Sequence, residues 1–175
     1  MAELFLERRF EPRLTQDDVV RLALESSWCF EMYRVNWHGS LLSGDGSRLL
    51  CRFSSVDAES IRQALKKAQV DMSQLWAGTV HEVADPPEPN VAVERTFDGP
   101  ADLDELQAQE DGHQHCLDIR DVRFARTYFS ADKSRMICLY SAPDAESVRE
   151  AQREAGMPVE RVWSFRRIGP EHVMP

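Results

Sequence analysis

Residues 57–64, Asp57-Ala58-Glu59-Ser60-Ile61-Arg62-Gln63-Ala64, recur 87 positions later as Asp144-Ala145-Glu146-Ser147-Val148-Arg149-Glu150-Ala151. The same offset aligns residues 5–81 with residues 92–168 without a gap, and 20 of the 77 aligned pairs are identical. A match of this length without an insertion predicts that the chain consists of two copies of one structural unit.

The first part of each copy has the pattern of a strand followed by a helix. Leu4, Leu6 and Phe10 alternate with other residues at a period of two, which predicts a strand. Thr15 stands three residues before Asp18, close to a capping-box pattern, and apolar residues then recur at helical spacing. We therefore expect a helix of roughly 15 residues after Thr15.

A hairpin, a second helix and a last strand complete the unit. Residues 43–47 have the small, turn-forming side chains of a hairpin loop between two alternating segments. Asp57 and Asp144 are placed as N-caps of the second helix, and residues 72–80 are predicted as the last strand. This order of elements is that of a ferredoxin-like domain, with an antiparallel four-stranded sheet and both helices on one face.

One face of each predicted sheet has no helix to cover it. Because a unit of about 80 residues with a bare sheet face is marginally stable, we expect the two copies to pack sheet against sheet within the chain. The predicted fold class is thus α+β, with two tandem ferredoxin-like units forming an intramolecular pseudo-dimer. We assign residues 1–81 to the first repeat, 82–90 to a proline-rich linker, 91–170 to the second repeat and 171–175 to a tail.

Four short motifs follow one another in the second copy. They are Val93-Glu94-Arg95-Thr96-Phe97, Tyr128-x-x-x-Asp132-Lys133, Cys138-x-Tyr140-x-Ala142-Pro143 and Gly156-x-Pro158. With them the second copy resembles a family of small bacterial ferredoxin-like domains of unknown function, one branch of which is described as nickel-binding. The first copy resembles it more faintly. The resemblance implies a transition metal such as nickel as the cofactor, and a pairing of the two copies like that of a homodimer.

Glu110, His113 and Cys116 form the most suggestive local cluster of possible ligands. If this segment is helical, the three side chains lie near one face at a spacing of three residues. Carboxylate, imidazole and thiol groups suit Ni(II) or Zn(II), so the spacing predicts a metal site in the second copy. The alternative is a helix that ends near Gly112 and leaves the imidazoles in solvent.

Glu7 and Glu94 alternate away from the apolar face of the first strand in each copy. We expect these two carboxylates to point into the space between the sheets, where they and His38 would bind a cofactor or act on a ligand as acid or base. The structural alternative is that each glutamate pairs with arginines of neighbouring strands. Because His38 aligns with Ala125, a pocket at this place would be asymmetric.

The cysteines fall on two repeat positions only. Cys29 aligns with Cys116 and Cys51 aligns with Cys138, and no Cys-x-x-Cys pair occurs. This excludes zinc-finger and thioredoxin motifs, and we expect buried thiols without disulfides.

Composition and missing motifs restrict the function further. The 30 acidic and 21 basic residues give a net charge of −9, which opposes nucleic-acid binding. A secretory signal and an apolar run of bilayer length are both missing, so we expect a cytoplasmic protein without membrane contact. Phosphate-binding glycine loops, nucleophile elbows and zinc-protease motifs are also absent from the sequence.

Three functions stay open on the sequence alone. The first is a protein that binds a transition metal. The second is an enzyme or binder of the dimeric α/β-barrel type, which acts on a small organic ligand between the sheets. The third is an interaction module without a ligand. In each case we expect a monomeric protein in which the two copies pair with each other as the subunits of a dimer would.

Overall fold

The chain folds into two compact units. The computed structural model describes residues 1–173. The first unit comprises Met1–Gly78 together with the segment from Arg166, and the second comprises Thr79–Phe165. Both units combine helices with antiparallel strands, so the fold class is α+β. The division between the two units falls within two strands, and the predicted repeat boundaries at residues 81 and 91 stay a prediction.

The first unit contains a four-stranded antiparallel sheet with the strand order β4-β1-β3-β2. Its helices pack on one face, where Leu4, Leu6, Ile61 and Leu65 are almost fully buried. Its elements are β1 (Ala2–Arg9), α1 (Gln16–Met32), β2 (Asn36–Ser43), β3 (Arg48–Ser55), α2 (Ala58–Lys67) and β4 (Leu75–Glu82), the last of which begins in this unit.

The second unit has a sheet with the strand order β8-β5-β7-β6, also antiparallel. The counterpart of α1 is interrupted at His113, whose backbone angles of −119° and 28° are not helical. The elements are β5 (Val91–Thr96), α3 (Leu103–Gly112), α4 (Gln114–Asp118), β6 (Arg123–Ser130), β7 (Arg135–Ser141), α5 (Ala145–Glu154) and β8 (Arg161–Ile168), and a short 3-10 turn follows at Pro170–His172.

The predicted helix caps are confirmed. The Thr15 hydroxyl accepts a hydrogen bond from the Asp18 backbone N–H, and the Asp18 carboxylate accepts one from the Thr15 backbone N–H, which completes a capping box. Asp57 caps α2 through the Ser60 N–H, and Asp144 caps α5 through the Ser147 N–H. The four cysteines are buried and free, as expected. No helix within residues 1–173 combines the length and apolar character needed to cross a membrane.

The two hairpin loops have the same hydrogen bonds at positions 87 residues apart. Asp132 Oδ1 accepts from the Ser130 hydroxyl at 2.7 Å, from the Ser134 N–H at 3.0 Å and from the Ser134 hydroxyl at 2.7 Å. Asp45 accepts the corresponding three hydrogen bonds in the first unit. The hydrogen bonds from Ser134 and Ser130 lower the pKa of Asp132 to about 2, because they favour the ionised carboxylate.

We expect the Asp132→Asn substitution to remove part of the acid sensitivity of the fold. The pKa of Asp132 is lower in the folded chain than its ordinary value of 3.8. Its contribution to stability is therefore complete above that value and is lost as the pH falls from about 4 to about 2. Thermal unfolding followed by circular dichroism should show a steeper loss of midpoint temperature for the wild type than for the variant across this interval.

Ser134→Ala serves as the graded control, since it removes the serine hydroxyl and leaves the other two donors in place. The loss of midpoint temperature at low pH should be smaller for Ser134→Ala than for the wild type and larger than for Asp132→Asn. Identical acid dependence in the wild type and in Asp132→Asn would contradict the assigned hydrogen-bond geometry.

Candidate ligand site

A cavity of about 300 Å³ lies between α1 and the sheet of the first unit. We call it the first-unit cavity. Polar and apolar groups share its walls about equally, and Glu25, Gln69 and Asp71 line it at exposed positions, where it meets solvent. This volume is at the lower end of the range for ligand pockets in proteins, about 300 to 1,000 Å³. The apolar side chains that line it include Val19, Leu22, Phe30, Trp37, Leu49 and Phe53.

The polar floor of the cavity is formed by β2 and β3. The Ser40 hydroxyl accepts a hydrogen bond from the Trp37 indole N–H at 3.0 Å and donates one to Cys51 Sγ at 2.7 Å. Burial raises the pKa of the Cys51 thiol, because a thiolate would lose its solvation there. Cys51 is therefore a protonated, structural thiol and not an activated nucleophile.

Arg8 of β1 brings a positive charge to the cavity wall. Its guanidinium lies 5.2 Å from the centre of the Phe10 ring. Within residues 1–173 the buried Nε atom of Arg8 has no hydrogen-bond partner. Within the same described residues, the Nε atom of Arg95, the aligned residue of the second copy, has no partner either, so this atom does not distinguish the two places. It is the positive charge of Arg8 that favours an anionic acceptor at this end of the cavity.

The equivalent place in the second unit is closed. The space beneath α3 has a volume of only about 20 Å³. Arg95, which aligns with Arg8, donates hydrogen bonds to the Pro158 carbonyl at 2.5 Å, to Gln152 Oε1 at 2.7 Å and to the Tyr140 hydroxyl at 3.1 Å. Glu110 lies 3.9 Å from Arg95 and accepts hydrogen bonds from Tyr140 at 2.6 Å and Gln152 at 3.1 Å. We call these four side chains the Arg95 network.

The charges of the Arg95 network stabilise one another in a dry environment. Burial disfavours the charged form of Arg95, but the neighbouring Cys138, Tyr140 and Glu110 outweigh this effect, and the pKa of Arg95 is raised. Burial and the nearby Glu110 raise the pKa of Tyr140, so its hydroxyl stays a donor. Arg95 is 1% exposed and Tyr140 is fully buried, so the network fills the site without water access.

The three predicted metal ligands have separate partners. Glu110 belongs to the Arg95 network, His113 Nδ1 is 2.8 Å from the Gln109 carbonyl oxygen, and buried Cys116 Sγ is 3.5 Å from His115 Nε2. The break at His113 separates α3 from α4, so the residues do not share one continuous helix. Among residues 1–173 there is no group of three or more His, Cys, Asp or Glu side chains placed to hold a metal ion.

Glu7 and Glu94 form matching contacts within their own units. The Trp76 indole N–H donates to Glu7 Oε2 at 2.7 Å, and the Trp163 indole N–H donates to Glu94 Oε2 at 2.6 Å. Glu94 is 2% exposed and also pairs with two cationic side chains, those of Arg135 at 2.6 Å and Arg161 at 3.1 Å. The arginine partners of Glu94 correspond to the structural alternative given above, whereas the partner described for Glu7 is Trp76. A role of either glutamate in binding a ligand stays a prediction.

His38 is an exposed residue at an irregularity of β2. Its Nε2 atom is 2.6 Å from the Ser54 hydroxyl, and the register of β2 against β3 shifts between Trp37 and Gly39. Burial and the nearby Arg52 guanidinium lower the pKa of His38, because both disfavour the imidazolium. His38 does not line the first-unit cavity. Its role in binding a ligand also stays a prediction.

Sequence reasoning did not identify the first-unit cavity or Arg8. The available signal was a contrast between the copies. Arg8 and Arg95 are aligned and identical, whereas the three side chains that accompany Arg95 differ from their counterparts. Ala23 aligns with Glu110, Phe53 with Tyr140 and Leu65 with Gln152.

Comparison with known proteins supports the fold more than the function. Residues 92–164, less than half of the chain, match the model of a family described as nickel responsive protein SCO4226-like. No curated protein matches the sequence. The solved structure of SCO4226 from Streptomyces coelicolor A3(2) is 16% identical, with a TM-score of 0.38 over 42% of this chain and 90% of its own.

Two longer structural matches extend over both units. A mutant chlorite dismutase from Candidatus Nitrospira defluvii, solved in complex with cyanide, is 13% identical, with a TM-score of 0.52 over 94% of this chain and 90% of its own. A heme-binding protein from Thermus thermophilus is 8% identical, with a TM-score of 0.51 over 98% and 93%. At these identities the likeness shows a shared α+β fold and no shared chemistry.

Proposed function

We propose that this protein binds a small organic ligand in the first-unit cavity. The observation that carries the proposal is a difference in volume between two equivalent spaces. The space in the first unit measures about 300 Å³, and the one in the second unit measures about 20 Å³. A half-open space of this size with a cationic side chain on its wall falls at the lower end of the range for ligand pockets in proteins.

The proposal places the second unit in a supporting role. Its own side chains fill the place that corresponds to the ligand site, and Glu94 with its two arginines and Trp163 stabilises the sheet. The interpretation as two tandem ferredoxin-like copies belongs to this proposal. It is supported by the constant offset of 87 positions and by the equivalent strand orders of the two sheets. The pairing of the copies stays a prediction from the sequence.

We expect Ala23→Phe to abolish ligand binding, because Ala23 lines the cavity and a phenyl ring would occupy it. Wild-type protein should be screened by NMR with a mixed set of neutral, anionic and cationic organic fragments. The Trp37 indole N–H, which hydrogen-bonds to Ser40 at the cavity floor, is the reporter. Fragments that shift this resonance in the wild type should not shift it in Ala23→Phe.

Leu24→Phe is the matched control, since Leu24 is the next residue of α1 but is 52% exposed. This variant should bind the same fragments as the wild type. If no fragment shifts the Trp37 resonance, or if Ala23→Phe binds as well as the wild type does, the first-unit cavity is not a ligand site.

Nickel binding is the competing proposal, and the family match of residues 92–164 favours it. Its ligands would be Glu110, His113 and Cys116, but Glu110 would have to give up its contacts in the Arg95 network. We therefore expect isothermal titration of tag-free protein with NiCl₂ to show no stoichiometric binding. Stoichiometric nickel that is lost in the His113→Ala/Cys116→Ser double variant would establish the metal function instead.

A further inference from the structure

We propose that the ligand of the first-unit cavity is a small monocarboxylate, whose carboxylate pairs with Arg8 at the place equivalent to that of Glu110 beside Arg95. This inference rests on the proposed function and adds the chemical class of the ligand. In the second unit the chain itself provides the carboxylate, as the side chain of Glu110. The first unit would bind a carboxylate from solution at the corresponding place.

The two sites have the same floor. Arg8 and Arg95 occupy aligned positions on the first strand of each copy. In the first unit the Ser40 hydroxyl donates to Cys51 Sγ at 2.7 Å, and in the second the Thr127 hydroxyl donates to Cys138 Sγ at 3.2 Å. A group that fits against Arg95 in one unit therefore meets a similar surface next to Arg8 in the other.

The first unit keeps the cysteine of the floor but lacks Glu110, Tyr140 and Gln152, the other three members of the Arg95 network. The residues aligned with Glu110, Tyr140 and Gln152 carry only hydrocarbon side chains and can neither donate nor accept a hydrogen bond. Glu110 lies 3.9 Å from Arg95, beyond hydrogen-bond distance, and is linked to it through Tyr140 and Gln152. Because the first unit lacks these linking side chains, a carboxylate would meet Arg8 directly, and carboxylates match a guanidinium in charge and in fork geometry. The missing residues are replaced by Ala23, Phe53 and Leu65.

The rest of the cavity restricts the ligand to one negative charge. Beyond Arg8, the most buried side chains that line the cavity include Val19, Leu49 and Phe53, and they favour an apolar body for the ligand. Two acidic residues, Glu25 and Asp71, line the cavity at exposed positions. Hydrogen bonds from Ser73 and the charge of Arg8 lower the pKa of Asp71, so one carboxylate already lies within electrostatic range of Arg8. The two acidic residues would therefore repel a second negative charge on the ligand. An aliphatic or aromatic monocarboxylic acid satisfies all of these conditions.

The direct test compares charged and neutral ligands of the same shape. Phenylacetate and hexanoate should bind wild-type protein at least about tenfold more tightly than phenylacetamide and hexanamide, measured by isothermal titration, because the ion pair with Arg8 is lost in the amides. In Arg8→Gln the acids should bind no more tightly than the amides. Arg8→Lys, which keeps the charge but loses the fork, should fall between the two.

The outcomes separate this inference from the proposed function. If acids and amides bind equally and both are lost in Ala23→Phe, the cavity is a ligand site but the carboxylate assignment is wrong. If the fragment screen finds only neutral or cationic ligands, the same conclusion follows. If nothing binds at all, both the proposed function and this inference fail.

A second test needs no ligand. Ala23→Glu would supply the carboxylate from α1, as Glu110 does from α3, and Ala23→Gln is its neutral control of the same size. We expect a higher unfolding midpoint for Ala23→Glu than for Ala23→Gln, and we expect Arg8→Gln to remove the difference between them. If Ala23→Glu and Ala23→Gln have equal unfolding midpoints while Arg8 is present, the proposed preference of Arg8 for a carboxylate is wrong.

Discussion

An arginine on the helix-covered face of a sheet is the constraint around which both units are organised. A guanidinium cannot be moved into a protein interior unless acceptors replace the water that it loses. The second unit provides three acceptors within hydrogen-bond distance of Arg95 and a nearby carboxylate. The first unit keeps the arginine but not these side chains, and the space that they would fill is left as a cavity. The difference between the units is thus a difference in how one charge is compensated.

Much of the secondary structure could be predicted from the sequence, because its determinants are local. Thr15, Asp57 and Asp144 cap helices through backbone groups three residues away. The side chains of Asp45 and Asp132 accept hydrogen bonds from serines of their own loops. The interruption at His113 was left open. Gly112 marked a possible helix end, and α3 ends at that residue, whereas the expected face of Glu110, His113 and Cys116 depended on an unbroken helix.

The site could not be predicted, because it depends on packing between distant segments. Arg95 and its partners Tyr140 and Gln152 are 45 and 57 residues apart in sequence. Glu110 was assigned to a metal by its neighbours in sequence, yet its hydrogen-bond partners come from β7 and α5. The internal repeat does contain part of this information. Once the copies are aligned, the sequence shows that the arginine is kept and that the residues around it differ.

The division of the chain through β4 and β8 has a consequence for synthesis. Ile168 of β8 is fully buried in the same apolar cluster as Leu4 and Leu6 of the first strand. During synthesis the first strand therefore leaves the ribosome long before a residue that completes its core, and it stays partly unpacked until β8 follows. The second unit has no such delay, because it is contiguous from Thr79 to Phe165 and folds from segments that are made one after another.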